Sequence, residues 1–135
     1  MARQRAHVNT SYCTTTALIA WVVVVFFMHI VPVDPDKARS IQIPHLDKLV
    51  HFTLFFVLSI LAIRHRFTHK KATSKWVFAR IILLCCAYGI ALEWIQPLMG
   101  THRSSDLLDG VADATGVLLG AFCFNDFRRL FLFSH

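Results

Sequence analysis

Glu93, Asp109 and Asp113 stand inside otherwise apolar stretches of this chain, with Asp47, Lys48, His51, Gln96, Arg103 and Asp106 at the edges of those stretches. Carboxyl groups and an imidazole move protons near neutral pH, and Lys and Arg hold anions. Ionisable groups are costly in a bilayer, so they face a protein interior or a wet cavity and mark a functional site. Spacing sorts them into sets. Asp47 and His51 are four apart, Glu93 and Gln96 are three apart, and Asp106, Asp109 and Asp113 repeat at i, i+3, i+7. Each set therefore shares one face of a helix. At 1.5 Å of rise per residue, Asp109 and Asp113 fall roughly 6 and 12 Å below the start of their helix, and His51 about 6 Å below Asp47.

Three polar stripes thus converge at similar depth. The chemistry open to them is proton transfer by Glu93, Asp109 or His51, beside an anion held by Lys48 and Arg103. Asp47, Gln96, Asp106 and Asp113 complete the lining. The same spacing also admits a structural origin. Asp47 and Ser105 fit helix N-caps. Arg103 fits a cation that pairs with Asp106 or Glu93 and snorkels to the interface.

The elements that position these residues follow from composition. The chain has 135 residues, 56% of them hydrophobic, and a mean hydropathy of +0.53. A soluble domain is nearer about 45–50% apolar. The length allows about four spanning helices of roughly 20 residues and no soluble domain around them. We expect an all-α membrane protein, a single transmembrane domain over 1–135, with about four transmembrane helices in a small bundle. The spans run about Thr14 to Val33, Asp47 to Ile63, Trp76 to Gln96 and Ser105 to Phe124. Pro32 and Pro35 close the first and Pro97 the third. The first span could be a signal peptide after Arg3 and Arg5, but no small-x-small cleavage site follows it. The last span carries Gly116-x-x-x-Gly120, extended upstream by Ala112, a spacing that lets helix backbones approach closely.

Charge sets direction. The net charge is +6, read first as a topology signal. Arg64, Arg66, Lys70, Lys71 and Lys75 fill one short loop, and Arg3, Arg5, Arg128 and Arg129 lie in the tails. Those segments are expected on the cytoplasmic side, with both termini cytoplasmic. Asp34, Asp36, Asp47, Glu93, Asp106, Asp109 and Asp113 then fall on or near the outer face. Spans two and four begin there, and helix N-termini favour anions. The basic residues lie in short segments with no fold to organise them, so no nucleic-acid partner is expected. The four cysteines form neither a CxxC nor a Cys/His metal spacing. His51, Asp109 and Asp113 could hold a metal by spacing, but nothing demands it, and neither a metal nor another cofactor is expected.

These residues resemble the VanZ-like family of bacterial membrane proteins. Asp47-Lys48-Leu49-Val50-His51-Phe52 is similar to an Asp-Lys-x-x-His-Phe block at a helix start. Glu93-Trp94-Ile95-Gln96 is similar to a Glu-x-x-Gln block. Arg103-Ser104-Ser105-Asp106-Leu107-Leu108-Asp109, with Gly116 and Gly120 following, resembles an Arg-x-x-(Ser/Asp)-x-x-Asp…Gly-x-x-x-Gly block. The set covers about residues 47–120. This chain has Asp113 where the pattern usually has Asn. The resemblance implies a multi-pass protein of the bacterial inner membrane and a link to low-level resistance to the glycopeptide teicoplanin, with no agreed reaction.

Three functions remain open at this point. The first is a site at the outer leaflet that binds, and in its stronger form acts on, an anionic lipid or lipid-linked cell-envelope precursor. The second is an interaction or scaffold protein whose polar residues are a structural network. The third is a proton-coupled transporter, disfavoured because no polar residues continue the stripes through the inner halves of the spans.

Overall fold

The structure is a computed structural model and describes residues 2–30, 46–69, 74–99 and 106–132. Every element among them is helical. Helix α1 covers Ala2–Ile30, α2 Leu46–His69, α3 Lys75–Ile95 and α4 Leu107–Leu132, with a 3-10 turn over Gln96–Met99 between α3 and α4. Four segments are long and apolar enough to cross a membrane: Thr10–Ile30, Leu46–His69, Lys75–Leu98 and Leu107–Phe124. The expected spans are all present and shifted by a few residues. The prolines expected to close the first, Pro32 and Pro35, lie outside the described residues.

Local chemistry sets the helix ends. Ser74 is extended (φ −74°, ψ 158°), and its hydroxyl accepts from the Val77 N–H to cap α3. At the other end Pro97 cannot donate to the α-helical ladder, so the chain tightens into the 3-10 turn. Asp106 caps α4, and Ser105, the expected cap, lies outside the described residues. Its carboxylate accepts from the Leu108 N–H at 2.9 Å, and its carbonyl from the Asp109 N–H at 3.0 Å.

Sequential helices run antiparallel. The end of α1, the start of α2, the end of α3 and the start of α4 meet around His29, His51, Glu93 and Asp113. At the opposite end Ser11 and Thr15 of α1 meet His69 and His65 of α2, and Phe67 stacks on Phe124. The core is thin: Val25, Leu54, Phe55, Leu58, Leu92 and Val117 are buried together. Leu83, Leu84, Ile90, Val111, Leu118 and Phe122 face outward, as they do when lipid is the solvent. Trp76 and Trp94, 80% and 76% exposed, mark the two ends of α3. Their separation of 18 residues is about 27 Å of helix, close to the roughly 30 Å of a hydrocarbon core. Tryptophan is favoured at both membrane–water boundaries.

Helices α2 and α4 make the most extensive interface, and glycine makes it possible. A Cβ at Gly116 would collide with the Phe52 carbonyl oxygen and stand 3.0 Å from the Phe56 nitrogen. One at Gly120 would meet Ser59 Oγ and stand 2.5 Å from the Phe56 carbonyl oxygen. The expected small-residue stripe therefore packs within the chain, against α2. Side-chain hydrogen bonds also tie the middle of α1 to its neighbours. The Trp21 indole donates to the Leu54 carbonyl at 3.0 Å, and the Tyr88 hydroxyl to the Val22 carbonyl at 2.9 Å.

Candidate functional site

The stripe on α4 is graded by depth. The Asp106 side chain is 43% exposed, that of Asp109 10% and that of Asp113 3%. Packing of α4 on α2 through Gly116 and Gly120 brings this stripe against Lys48 and His51, one turn apart. Lys48 Nζ lies 2.7 Å from Asp106 Oδ2 and 2.8 Å from Asp109 Oδ1. One ammonium bridges the first two acids of the stripe. The third is met by His51, whose Nδ1 lies 3.1 Å from Asp113 Oδ1. The other ring nitrogen, Nε2, lies 4.0 Å from Asp109 Oδ2.

Helix α3 contributes Glu93, buried, with Oε1 3.9 Å from His51 Nδ1. It also contributes Gly89, whose missing side chain leaves room for Asp113. A Cβ there would stand 3.1 Å from Asp113 Oδ2. That oxygen is buried and has no hydrogen-bond partner among the described residues. Gln96 lies in the 3-10 turn, buried, and its Nε2 donates to the His29 carbonyl at 3.2 Å. Its contact is thus with the backbone of α1, and it positions the last turn of that helix.

His29 brings α1 into the cluster. It is 1% exposed, and its ring meets that of His51 edge-on at 4.7 Å between centroids. Its Nδ1 lies 2.7 Å from the Val25 carbonyl, which can only accept, so Nδ1 carries the proton and Nε2 the lone pair when the ring is neutral. Sequence reasoning missed this residue. The available signal was one histidine closing an otherwise apolar span, Phe26-Phe27-Met28-His29.

The structure therefore brings together Lys48, His51, Glu93, Asp109 and Asp113, with Asp106 at the rim. Asp47 is exposed, and a carboxylate oxygen of it still comes within 4.8 Å of His51 and Asp109 ligand atoms. Arg103 lies outside the described residues. Asp106 is outside the spanning segments, and its ionisation is set locally. The Lys48 hydrogen bond first, then the Leu108 N–H, hold its carboxyl below the ordinary carboxylate range. A groove of about 360 Å³ between α1 and α2, lined by Thr10, Cys13, Thr14, Ala17, Leu61 and Arg64, lies at the other end and includes no member of this cluster.

Chemically the centre is a buried imidazole among carboxylates, with one ammonium between two of the acids. Such a set can take up and return a proton, coordinate a cation, or fix four helices to one another. A family model described as VanZ/LLP1 matches residues 14–132, nearly the whole described bundle. Neither a curated protein nor a solved structure matches the chain.

Proposed function

The chain belongs to the VanZ/LLP1 family, and we propose that its polar centre is an acid–base site for the head group of an anionic lipid or lipid-linked envelope precursor. The observation that carries this reading is the convergence of His51, Glu93, Asp109 and Asp113, each over nine-tenths buried, at the Trp94 end of the bundle. Trp94, a residue type favoured at the membrane–water boundary, would put that end near the lipid head groups. The basic loop and tails would set this end at the outer leaflet of the bacterial inner membrane, with both termini cytoplasmic. In this reading His51 exchanges the proton, Asp113 orients it, and Glu93 or Asp109 serves as the second acid or base. Lys48 and Arg103 hold the anion. Lys48 is already paired, so a phosphate oxygen would displace Asp106, the more exposed of its two carboxylates. Altered envelope precursors would then be the route to reduced teicoplanin sensitivity.

The pairing of Lys48 with two acids also favours a second reading, a polar network that only joins the helices. Native mass spectrometry separates the two. Wild type is compared with Arg103→Ala and Asp109→Asn, scoring bound lipid. A phosphate-bearing lipid retained by wild type and lost from both variants supports the head-group site. Equal lipid on three equally folded proteins sinks it and leaves the network.

A further inference from the structure

We propose that His29, His51, Glu93 and Asp113, one residue from each helix, bind a divalent transition-metal ion, with Zn2+ as the best-matched species. One ligand atom from each of the four lies within 4.8 Å of all the others, and all four residues are buried. Bond lengths of about 2.0–2.2 Å put tetrahedral ligands about 3.3–3.6 Å apart. The His51 Nδ1–Asp113 Oδ1 pair is already at 3.1 Å, and His51 Nδ1–Glu93 Oε1 at 3.9 Å. Side-chain adjustments below about 1 Å close the shell.

Three further observations point to a cation. First, one imidazole is held as metal-bound imidazoles are held, with its second nitrogen donating to an acceptor. His29 donates Nδ1–H to the Val25 carbonyl, which leaves Nε2 as its ligand atom. His51 places Nδ1 3.1 Å from Asp113 Oδ1 inside the cluster, and its Nε2, 4.0 Å from Asp109 Oδ2, is beyond direct hydrogen-bond reach of that oxygen. Second, Asp113 is 2% exposed, and its Oδ2 is buried with no donor among the described residues. A buried carboxyl oxygen without a donor is satisfied by a coordinated cation or by a proton of its own, and ion titration separates the two. Third, charge balances. Two neutral imidazoles, two carboxylates and a divalent ion sum to zero, the least costly total at membrane depth. Nitrogen and oxygen ligands in a compact four-membered set suit Zn2+ better than Ca2+ or Mg2+, which take six or more oxygens.

The inference does not depend on the head-group reading, since ion binding is measured with no lipid added. It also bears on that reading, because a cation would give an acidic centre the positive charge that an anion needs. The full-length chain, purified in detergent and stripped with EDTA, is titrated with Zn2+ against a fluorescent chelator, and separately with Co2+ by visible absorption. We expect one ion per chain and the intense d–d bands of tetrahedral Co2+. Asp113→Asn and His29→Gln should each weaken binding by at least about 100-fold, beyond the 10–100-fold typical of outer-shell losses. Asp47→Asn probes the neighbouring Asp47–His51–Asp109 cluster. The control is Thr68→Ala at the opposite end of α2, where the hydroxyl only bonds the Arg64 carbonyl, and it should bind as wild type does. Circular dichroism checks folding of each variant. If one does not fold, the wild-type Co2+ spectrum decides, and absence of tetrahedral bands overturns the proposal. Undiminished binding in folded Asp113→Asn and His29→Gln overturns it too. So does loss confined to Asp47→Asn, which would locate the ion among Asp47, His51 and Asp109. Zn2+ binding with no lipid retention would sink the head-group reading alone.

Discussion

Replacing Gly116 by alanine adds one methyl group at the closest approach of α2 and α4. Its Cβ would overlap the Phe52 carbonyl oxygen and stand 3.0 Å from the Phe56 nitrogen. Both obstacles are backbone, so no rotamer change relieves them. The helices must part until the contact reaches ordinary van der Waals distance, a movement on the order of 1 Å. Overpacking of this kind costs about 1–3 kcal/mol. Gly110 supplies the control, because a Cβ there meets nothing within 4 Å. Gly110→Ala should gain up to about 1 kcal/mol of helix propensity. Gly116→Ala gains the same propensity, so the two variants should differ by the overpacking cost alone, roughly 1–3 kcal/mol, although the chemical change is identical. The same parting stretches the His51–Asp113 contact from 3.1 Å toward 4 Å, beyond hydrogen-bond reach. Unfolding in SDS, followed by far-ultraviolet circular dichroism, measures the difference. Coincident unfolding curves for Gly116→Ala and Gly110→Ala would refute the close approach and, with it, the alignment of the two halves of the site.

Other perturbations probe other contacts. Gln96→Leu removes the donor to the buried His29 carbonyl and should cost about 1–3 kcal/mol in the same SDS assay. Trp21→Phe removes the indole bond to the Leu54 carbonyl, a bond worth about 1 kcal/mol, and should loosen α1, read as faster amide exchange in that helix alone. The Asp106 carboxyl is held below its ordinary range. Its stabilising effect is therefore complete above the unfolded-state value near about 4 and is lost as pH falls through the lower folded-state value. Asp106→Asn keeps a cap but not the charge. The stability difference between wild type and variant should thus be constant near neutrality and shrink toward zero in acid, and a difference independent of pH would contradict the Lys48 pairing.

The sequence made the ends of the site legible and left its closure hidden. Glu93, Asp109 and Asp113 stand out because a charged residue in an apolar run has few explanations, and the i, i+3, i+7 spacing already orders the α4 stripe. The structure turns that spacing into a gradient of burial from Asp106 to Asp113. The four spans were readable for the same reason, with Pro97 ending α3. What the sequence could not supply were pairings between helices. Lys48 settles between Asp106 and Asp109 only because Gly116 and Gly120 let α2 and α4 touch. Gln96 finds a backbone carbonyl, whose position no residue type encodes. His29 sits in a span with no other titratable group near it in sequence, so its membership depends wholly on where α1 packs.

Asp113 gives the sharpest way to tell a site from a set of joined helices. Its Oδ2 is buried and lacks a donor among the described residues, a deficit of about 1–3 kcal/mol. Gly89 opposite keeps that space clear, although glycine within a helix costs roughly 0.5–1 kcal/mol relative to alanine. A network shaped only for stability would relieve both. An amide at 113 would still accept from His51 and would keep the shape of the side chain. Asp113→Asn should therefore leave stability within about 1 kcal/mol of wild type in metal-free buffer, the size of one hydrogen bond, because the amide keeps both the shape and the acceptor. The same variant should lose the function of the centre. Stability is read by SDS titration after EDTA treatment, and function by ion and lipid retention. If Asp113→Asn instead unfolds more easily by 3 kcal/mol or more, the size of loss expected when a buried ion pair is broken, then Asp113 holds the helices together through His51, and the centre is a joint.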